Sequence, residues 1–519
     1  MKIAKGKNAK KNIFVGAFTQ IIIYIIRFIV KSVLIYQLGA EYLGLNSLCN
    51  SILQVLNMAE LGFGSAIVFF MYAPIADDDT QRVNNLLGYY RKIYGMIGIF
   101  ILVMGIILMP LLPYMTNNTC PKDVNVYVVW LLWLINTVIS YWMFSYRGSL
   151  IEAHQRLDVT LNIYSLQQCA MGILQVLILY CTDNYYLFLL AMPVTVLIKN
   201  ISFYFISRKM YPQYQCKENI DVGTKKDIKN RMSGIIVNKL NGVTRNSFDS
   251  IFISSFLGLQ QAAIYGNYYY ILGTVHSFST LITNGLVAGI GNSSIRNSVD
   301  KNYEEFEKLD FWYMWIRGYC SVALLCVVQP FMYLWMGADM MYSLTVVILF
   351  SIYFYIMGMA DIREMYINAM GLWNQQRQYV IIEAVSNIIL NAVLGKVFGV
   401  YGIIFATIIS MGIIHFGFKA KIIFQFYFGR DKNKEYFMLH MRYAFTTLLA
   451  GGVSILICNN LTSYNIGGLV LSVIISFMVS NSIYLLIYWH TREYQNAIIW
   501  ILTIFHMEDR LKFLIPRRN

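Results

Sequence analysis

The sequence predicts an all-α polytopic membrane protein of about fourteen transmembrane helices: two six-helix lobes related by pseudo-twofold symmetry, followed by two further C-terminal helices. Three observations predict it. Of 519 residues, 57% are apolar and only 13% are charged, about half the charged share of a soluble domain. Mean hydropathy is +0.53, and the apolar residues recur in blocks of about 20, each long enough to cross ~30 Å of hydrocarbon. Finally, one pattern occurs twice, as Arg27, Leu38-Gly39 and Tyr42-Leu43-Gly44-Leu45-Asn46, and as Arg245, Leu257-Gly258 and Tyr265-Gly266-Asn267. This composition excludes a soluble enzyme. The net charge of +14 reads as a bias of the loops on one membrane face, so no nucleic-acid partner is implied.

The elements follow in order. Lys2, Lys5, Lys7, Lys10 and Lys11 precede an apolar stretch from Ile13 to Tyr36. That stretch is too long for a signal-peptide core and lacks a small-residue cleavage site, so it is an uncleaved first span. Further spans are expected near 44–73, 93–113, 126–145, 160–180, 186–206, 232–257, 263–293, 309–329, 340–360, 380–396, 401–418, 443–459 and 467–489. The expected domains are an N-terminal lobe (1–206), a cytoplasmic linker (207–231), a C-terminal lobe (232–424), helices 13 and 14 (425–489) and a cytoplasmic tail (490–519). In that tail, Ala497 to Phe505 is too short to cross and is followed by Arg510, Lys512, Arg517 and Arg518, the pattern of an interfacial amphipathic segment. Counting Lys and Arg in the intervening loops places 33 of the 41 on the side of the termini and only Lys122 and Lys396 opposite. Both termini are therefore expected in the cytoplasm.

A repeat unit of six spans keeps its orientation, which relates the lobes by an axis along the membrane normal. The competing account is that glycine-rich membrane helices resemble one another because small residues permit close approach. Glu60-Leu61-Gly62-Phe63-Gly64-Ser65-Ala66 is echoed, more weakly, by Asn284 to Gly291.

Six basic residues fall inside expected spans: Arg27, Lys31, Lys199, Lys239, Arg245 and Arg317. Arg27 and Lys31 stand four apart on one helix face, and each costs about 2.5–3.5 kcal/mol at the bilayer centre on insertion scales. The seventh span carries Asn238, Lys239, Asn241, Thr244, Arg245, Asn246 and Asp249, a polarity suited to a wet interior. Helices one and seven hold matching positions in the repeat, so their basic faces are expected to converge on a cationic cavity between the lobes. Against the acidic Glu60, Asp249 and Glu383, the balance of three positive charges favours an anionic ligand. Alternatives stay open: Arg245 and Asp249 have the spacing of a self-neutralising ion pair, and Arg317 either snorkels or joins the cavity. His276 is a packing residue or a proton carrier. Glu60 is an ion-coupling group or the cap of a helix break beside Gly62. The eight scattered cysteines show no metal or disulfide pattern. Asp77-Asp78-Asp79 reads as a solvated turn, and the absence of a P-loop excludes ATP hydrolysis of that kind. No cofactor, metal or catalytic cluster is indicated.

The basic N-terminus, Leu38 to Leu45, Glu60 to Ala66 and Arg91-Lys92-Ile93-Tyr94, in this order and with this span count, resemble the bacterial polysaccharide (O-antigen or capsule) flippases of the multidrug/oligosaccharidyl-lipid/polysaccharide exporter superfamily. The likeness covers nearly the whole chain. It implies a transporter, not an enzyme, in the bacterial cytoplasmic membrane. Its substrate would be undecaprenyl-pyrophosphate-linked oligosaccharide, moved to the outer leaflet by alternating access between a lipid-linked oligosaccharide pathway's glycosyltransferases and its polysaccharide polymerase. By position, the pyrophosphate or acidic sugars would be received by Arg27, Lys31, Lys239 and Arg245, with Arg317 a further candidate, and Glu60 and Asp249 would be candidates for coupling to Na+ or H+. The alternatives are an ion-coupled multidrug exporter, which would favour acidic cavity groups, a lipid II flippase and, remotely, a membrane polysaccharide polymerase.

Overall fold

The computed structural model describes residues 5–60, 62–217 and 220–504, with side chains at all of these except 5–18, 230, 231, 233–241, 288, 501 and 504. Every regular element among them is helical. In chain order they are α1 (Lys5–Gln37), α2 (Ala40–Leu56), α3 (Phe63–Ala76), α4 (Thr80–Leu108), α5 (Val126–Trp142), α6 (Tyr146–Ala153), α7 (Leu157–Thr182), α8 (Tyr185–Met210), α9 (Val222–Leu257) and α10 (Leu259–Arg296). There follow α11 (Val299–Met336), α12 (Leu344–Gly358), α13 (Asp361–Met370), α14 (Trp373–Phe398), α15 (Val400–Ser410), α16 (Asn433–Leu461), α17 (Ile466–Tyr488) and α18 (Arg492–Ile504).

Among the described residues, twelve helices are long and apolar enough to cross a membrane, or thirteen when α5 and α6, bent by 47°, count as one span. The chain is a multi-pass membrane protein. The expected segments fall largely on helices, the second of them on two, α2 and α3; α9, 36 residues long, is too polar to be counted by composition.

The packing divides the chain into Met1–Ala263 and Ile264–Asn519. Helix α9 packs along α2 and touches α3, so it goes with the first unit, whereas the sequence placed it at the head of the second lobe.

In the first unit, α1 lies along α7. The expected second span is broken: a 3₁₀ turn at Asn57–Glu60 ends α2, and Gly62, at φ +88°, starts α3 in a conformation that a side chain disfavours. The two copies of the repeated Leu-Gly make one turn. Gly39 has φ 113° and ψ 173° between α1 and α2, and Gly258 has φ 88° and ψ 173° between α9 and α10. The motifs also touch, since a Cβ on Gly44 would stand 1.9 Å from the carbonyl oxygen of Leu259. Tyr42 donates to the Asp123 carboxylate at 2.6 and 2.7 Å, and Tyr185 donates to Asn46 Oδ1 at 3.0 Å.

After α8, residues 211–217 lie against α4 as a strap. The Gln215 amide donates to Asn84 Oδ1 at 2.6 Å, the Lys217 amide to the Asn84 carbonyl at 3.1 Å, and Arg147 to the Tyr214 carbonyl at 3.2 Å. Beside it the His154 ring stacks on Tyr211 at 3.9 Å, and burial lowers the His154 pKa from its ordinary value. A histidine that prefers to be neutral when folded stabilises above its unfolded pKa and loses that contribution as acidification forces a proton onto it. Hydrogen exchange at the Gln215 and Lys217 amides, corrected for intrinsic rate, is therefore expected to accelerate between pH 7.5 and 5.5 in the wild type and to lose this pH dependence in His154→Phe.

In the second unit, α11 runs for 38 residues against α12, α16, α17 and α18. Stretches Met411–Phe418 and Phe424–Phe428 are π-helical. Helix α18 buries Tyr494, Ala497, Ile498 and Leu502 in an aromatic core with Phe311 and Trp315, and Trp312 Nε1 donates to the Ala497 carbonyl at 2.8 Å. The expected interfacial segment thus turns its apolar face to protein over this stretch, because Trp312 and Trp315 offer an aromatic seat; Arg510, Lys512, Arg517 and Arg518 lie outside the described residues.

Candidate functional site

Helix α1 carries no acidic residue. Its line of contact with α7 is set at Gly172, where a Cβ would stand 2.3 Å from Ile26 and 3.3 Å from Val30. Arg27 and Lys31 each follow one of these residues, about 100° further round the helix, so the packing that fixes α1 turns both cations to one side of the seam. Arg27 is exposed and Lys31 half-buried. On α9, Arg245 is half-buried and Asp249 fully buried, four residues apart. Between them, Ser247 donates to Gln54 Oε1 on α2 at 3.2 Å. Helix α2 packs against both α1 and α9 and is the common neighbour of the two cationic helices. Lys239 lies on α9, and its side chain falls outside the described residues.

Glu60 sits at the break between α2 and α3. Tyr94 on α4 donates to its Oε1 at 2.5 Å, and Tyr141 on α5 reaches Glu60 Oε2 at 3.4 Å and Asn57 Oδ1 at 3.1 Å. Two phenols from two helices thus hold the carboxylate at the point where the span is interrupted.

Arg317 belongs to the other unit. It is 1% exposed. Its Nε and one terminal nitrogen donate to the Phe354 carbonyl at 3.0 and 2.5 Å, its other terminal nitrogen contacts His276 Nδ1 at 3.1 Å, and its guanidinium lies 3.5 Å from the Phe354 ring centroid. His276 also lies 4.0 Å from the Asp361 carboxylate, to which Tyr313 donates. Sequence reading left Arg317 between snorkelling and cavity lining; the structure commits its donors to the end of α12.

Of a second charged cluster the sequence disclosed only Glu383. Arg363, 0% exposed, donates to the carbonyls of Phe416, at 2.8 Å, and His415. These belong to the π-helical stretch, where the ordinary helical partners of the carbonyls are displaced. Lys419 Nζ lies 2.9 Å from Glu364 and 3.2 Å from His415 Nδ1, and His415 Nδ1 lies 3.3 Å from the buried Glu383 carboxylate. The adjacent pair Arg363-Glu364 was the available signal, but it stood in a stretch read as a loop.

More charge is buried than the sequence indicated. Arg147, Arg363 and Lys419, assigned to loops, are buried, and so are Asp158 and Asp310, with Asp361 and Glu364 mostly covered. The helices α6 and α13 and the π-helical extension of α15 draw these residues inward. The covered acids offset much of the added positive charge, whereas α1 itself carries no acid.

Long apolar helices, several of them broken at glycines and carrying buried charge, define a polytopic membrane protein. The solved structures agree with that class. A lipid II flippase MurJ in an inward closed conformation overlaps with a TM-score of 0.68 at 13% identity, covering 92% of this chain and 98% of its own. An inward-facing multidrug resistance MATE transporter overlaps at 0.58 with 11% identity, covering 77% and 94%. A superfamily transporter from Pyrococcus furiosus, described by the reversed polarity of its binding pocket, overlaps at 0.53 with 11% identity, covering 80% and 96%. No curated protein matches the sequence. The family described as polysaccharide biosynthesis protein matches residues 9–288, more than half the chain, and the protein belongs to that family.

Proposed function

We propose that the protein flips undecaprenyl-pyrophosphate-linked oligosaccharide repeat units from the inner to the outer leaflet of a bacterial cytoplasmic membrane by alternating access, for capsule, O-antigen or exopolysaccharide synthesis. Its termini lie in the cytoplasm. The observation that carries this reading is the acid-free face of α1, with Arg27 and Lys31 side by side, in a chain of the polysaccharide biosynthesis family. Phosphate is recognised by charge-assisted hydrogen bonds from such groups. Lys239 and Arg245 add to the same anion site from α9, while Arg317 is left out because its donors are engaged. Glu60, held by Tyr94 and Tyr141, is the candidate for coupling to Na+ or H+, and Asp249 is the second. The membrane potential favours the direction: with the cytoplasm negative, each negative charge carried outward gains about 2.3 kcal/mol per 100 mV.

The reading is tested in cells lacking the protein. Undecaprenyl-pyrophosphate oligosaccharide is expected to accumulate on the cytoplasmic leaflet and to clear when the wild type is restored; normal delivery to the outer leaflet without the protein would refute it. A lipid II flippase is the second reading, favoured by the overlap with MurJ. It predicts accumulation of the peptidoglycan precursor instead.

A further inference from the structure

A loop outside the cationic site ties the two repeated Leu-Gly turns together. Residues 116–123 stand between α4 and α5. This loop and the turns at Gly39 and Gly258 each follow an odd-numbered expected span, so the topology read from Lys and Arg puts all three on the face opposite the termini. Asn117 and Asn118 hold φ at 51° and 53°, a left-handed conformation that asparagine adopts more readily than most side chains, and they turn the loop back on itself.

At one end the Tyr42 hydroxyl, in the first turn of α2, donates to the Asp123 carboxylate and lies 2.6 and 2.7 Å from its two oxygens. Tyr42 is 9% exposed, and its ring packs edge-on to Tyr185 with 5.0 Å between centroids. At the other end the Leu259 amide donates to Thr119 Oγ1 at 3.0 Å. That amide opens α10, where the first turn has no acceptor in its own helix, and Gly258 before it has no side chain to cap it. Thr119 therefore caps α10 from another element, while its own hydroxyl proton goes to the Thr116 carbonyl at 2.7 Å. The seat is close, since a Cβ on Gly258 would stand 3.2 Å from both Thr119 Oγ1 and Cγ2.

The two links differ in strength. A hydrogen bond to a carboxylate is about twice as strong as one between neutral groups, and the phenol that makes it is packed in place, whereas Leu259 is held by one neutral contact. We propose that residues 116–123 are an outer latch. It closes the outer end of the transport route by tying the α9–α10 turn to the α1–α2 turn, and it lets go between Thr119 and Leu259 while the link from Asp123 to Tyr42 keeps it on α2. The inference rests on the alternating access proposed for this protein, which requires the outer end to open before the head group can leave. Both copies of the Leu-Gly motif then serve one purpose: each turn brings a helix start within reach of the same loop.

A reversible lock tests it. A Cβ on Gly258 would stand 3.7 Å from Thr119 Cβ, within the roughly 3.5–4.5 Å that a disulfide spans. In the full chain with Cys120→Ser, the pair Thr119→Cys/Gly258→Cys is expected to cross-link in cells treated with copper phenanthroline in air, as read by mass spectrometry of a non-reduced digest. Cells whose only copy is cross-linked are expected to accumulate lipid-linked oligosaccharide on the cytoplasmic leaflet as heavily as cells with none, and dithiothreitol is expected to restore clearance. Each single cysteine variant is expected to clear the lipid under the same oxidant. Failure of the cross-link to form, or clearance by the cross-linked protein equal to wild type, would overturn the latch; a wild type that clears no lipid would overturn the proposed function instead. Thr119→Val leaves the glycine in place and reads the release directly. Hydrogen exchange at the Leu259 amide, in protein held in bilayers, is expected to accelerate about fivefold, as the loss of one neutral hydrogen bond implies. Exchange at the Val124 amide, bonded to the Pro121 carbonyl at 3.1 Å, is expected to stay as in the wild type. Acceleration at both amides, or at neither, would overturn release at Thr119.

Discussion

Cells whose only copy carries Arg27→Ala and Arg245→Ala are expected to accumulate lipid-linked oligosaccharide on the cytoplasmic leaflet as heavily as cells with none, at equal protein level in the membrane. A hydrogen bond to a charged group contributes roughly 1.5–3 kcal/mol, so loss of two guanidinium contacts to a pyrophosphate removes about 3–6 kcal/mol, on the order of 10²- to 10⁴-fold in affinity. The single variants should be graded. Arg27→Lys keeps the charge but loses the planar fork that engages phosphate bidentately, so it is expected to clear part of the accumulated lipid. Lys31→Ala, which leaves Arg27 on the same face, is expected to fall between Arg27→Lys and the double variant. Wild-type clearance by the double variant would remove these residues from the transport path while leaving the family assignment untouched.

The largest effect on stability is expected at Arg363. Replacing it by methionine keeps most of the volume but withdraws the donors from the carbonyls of His415 and Phe416 and removes a cation 3.7 Å from Glu364. Breaking a buried charge pair on one side costs about 3–5 kcal/mol, because the remaining groups stay buried and uncompensated. The melting midpoint of the purified protein is expected to drop by several degrees in Arg363→Met. Arg377→Met provides the comparison: that side chain is exposed, and surface changes ordinarily stay within about 0.5 kcal/mol. Equal midpoints for the two variants would mean that the π-helical stretch holds itself.

What the sequence disclosed follows from the nature of each signal. Apolar blocks about 20 residues long mark helices in a membrane because nothing else satisfies the backbone there, and most of each expected segment is helical. The Leu-Gly turns were legible because a positive φ selects glycine. Loop assignments were weaker: Arg147, Arg363 and Lys419 stand between apolar blocks in the sequence yet are buried, since short helices and π-helical turns carry the chain inward where hydropathy sees only polar residues. The break at Gly62 was visible as a glycine, but not as the end of a helix. The partners of Tyr42 and Glu60 were out of reach, because Asp123 stands 81 residues from Tyr42 and Tyr94 stands 34 from Glu60. A single sequence records pairings at that distance only through residue types that many positions share. The basic face of α1 stood in the sequence, while Asp310, inside an expected span, and the covered acids Asp158, Asp361 and Glu364 were missed there.

The interruption between α2 and α3 has a mechanical meaning. Bending an unbroken helix in hydrocarbon pulls apart backbone hydrogen bonds that no water replaces, at several kcal/mol each. A segment that already carries a 3₁₀ turn and a left-handed glycine interrupts the regular α-helical ladder at that point. Rotation of α3 against α2 therefore costs less there than in an unbroken helix, and it would have to carry the Glu60 carboxylate past the two tyrosines that hold it.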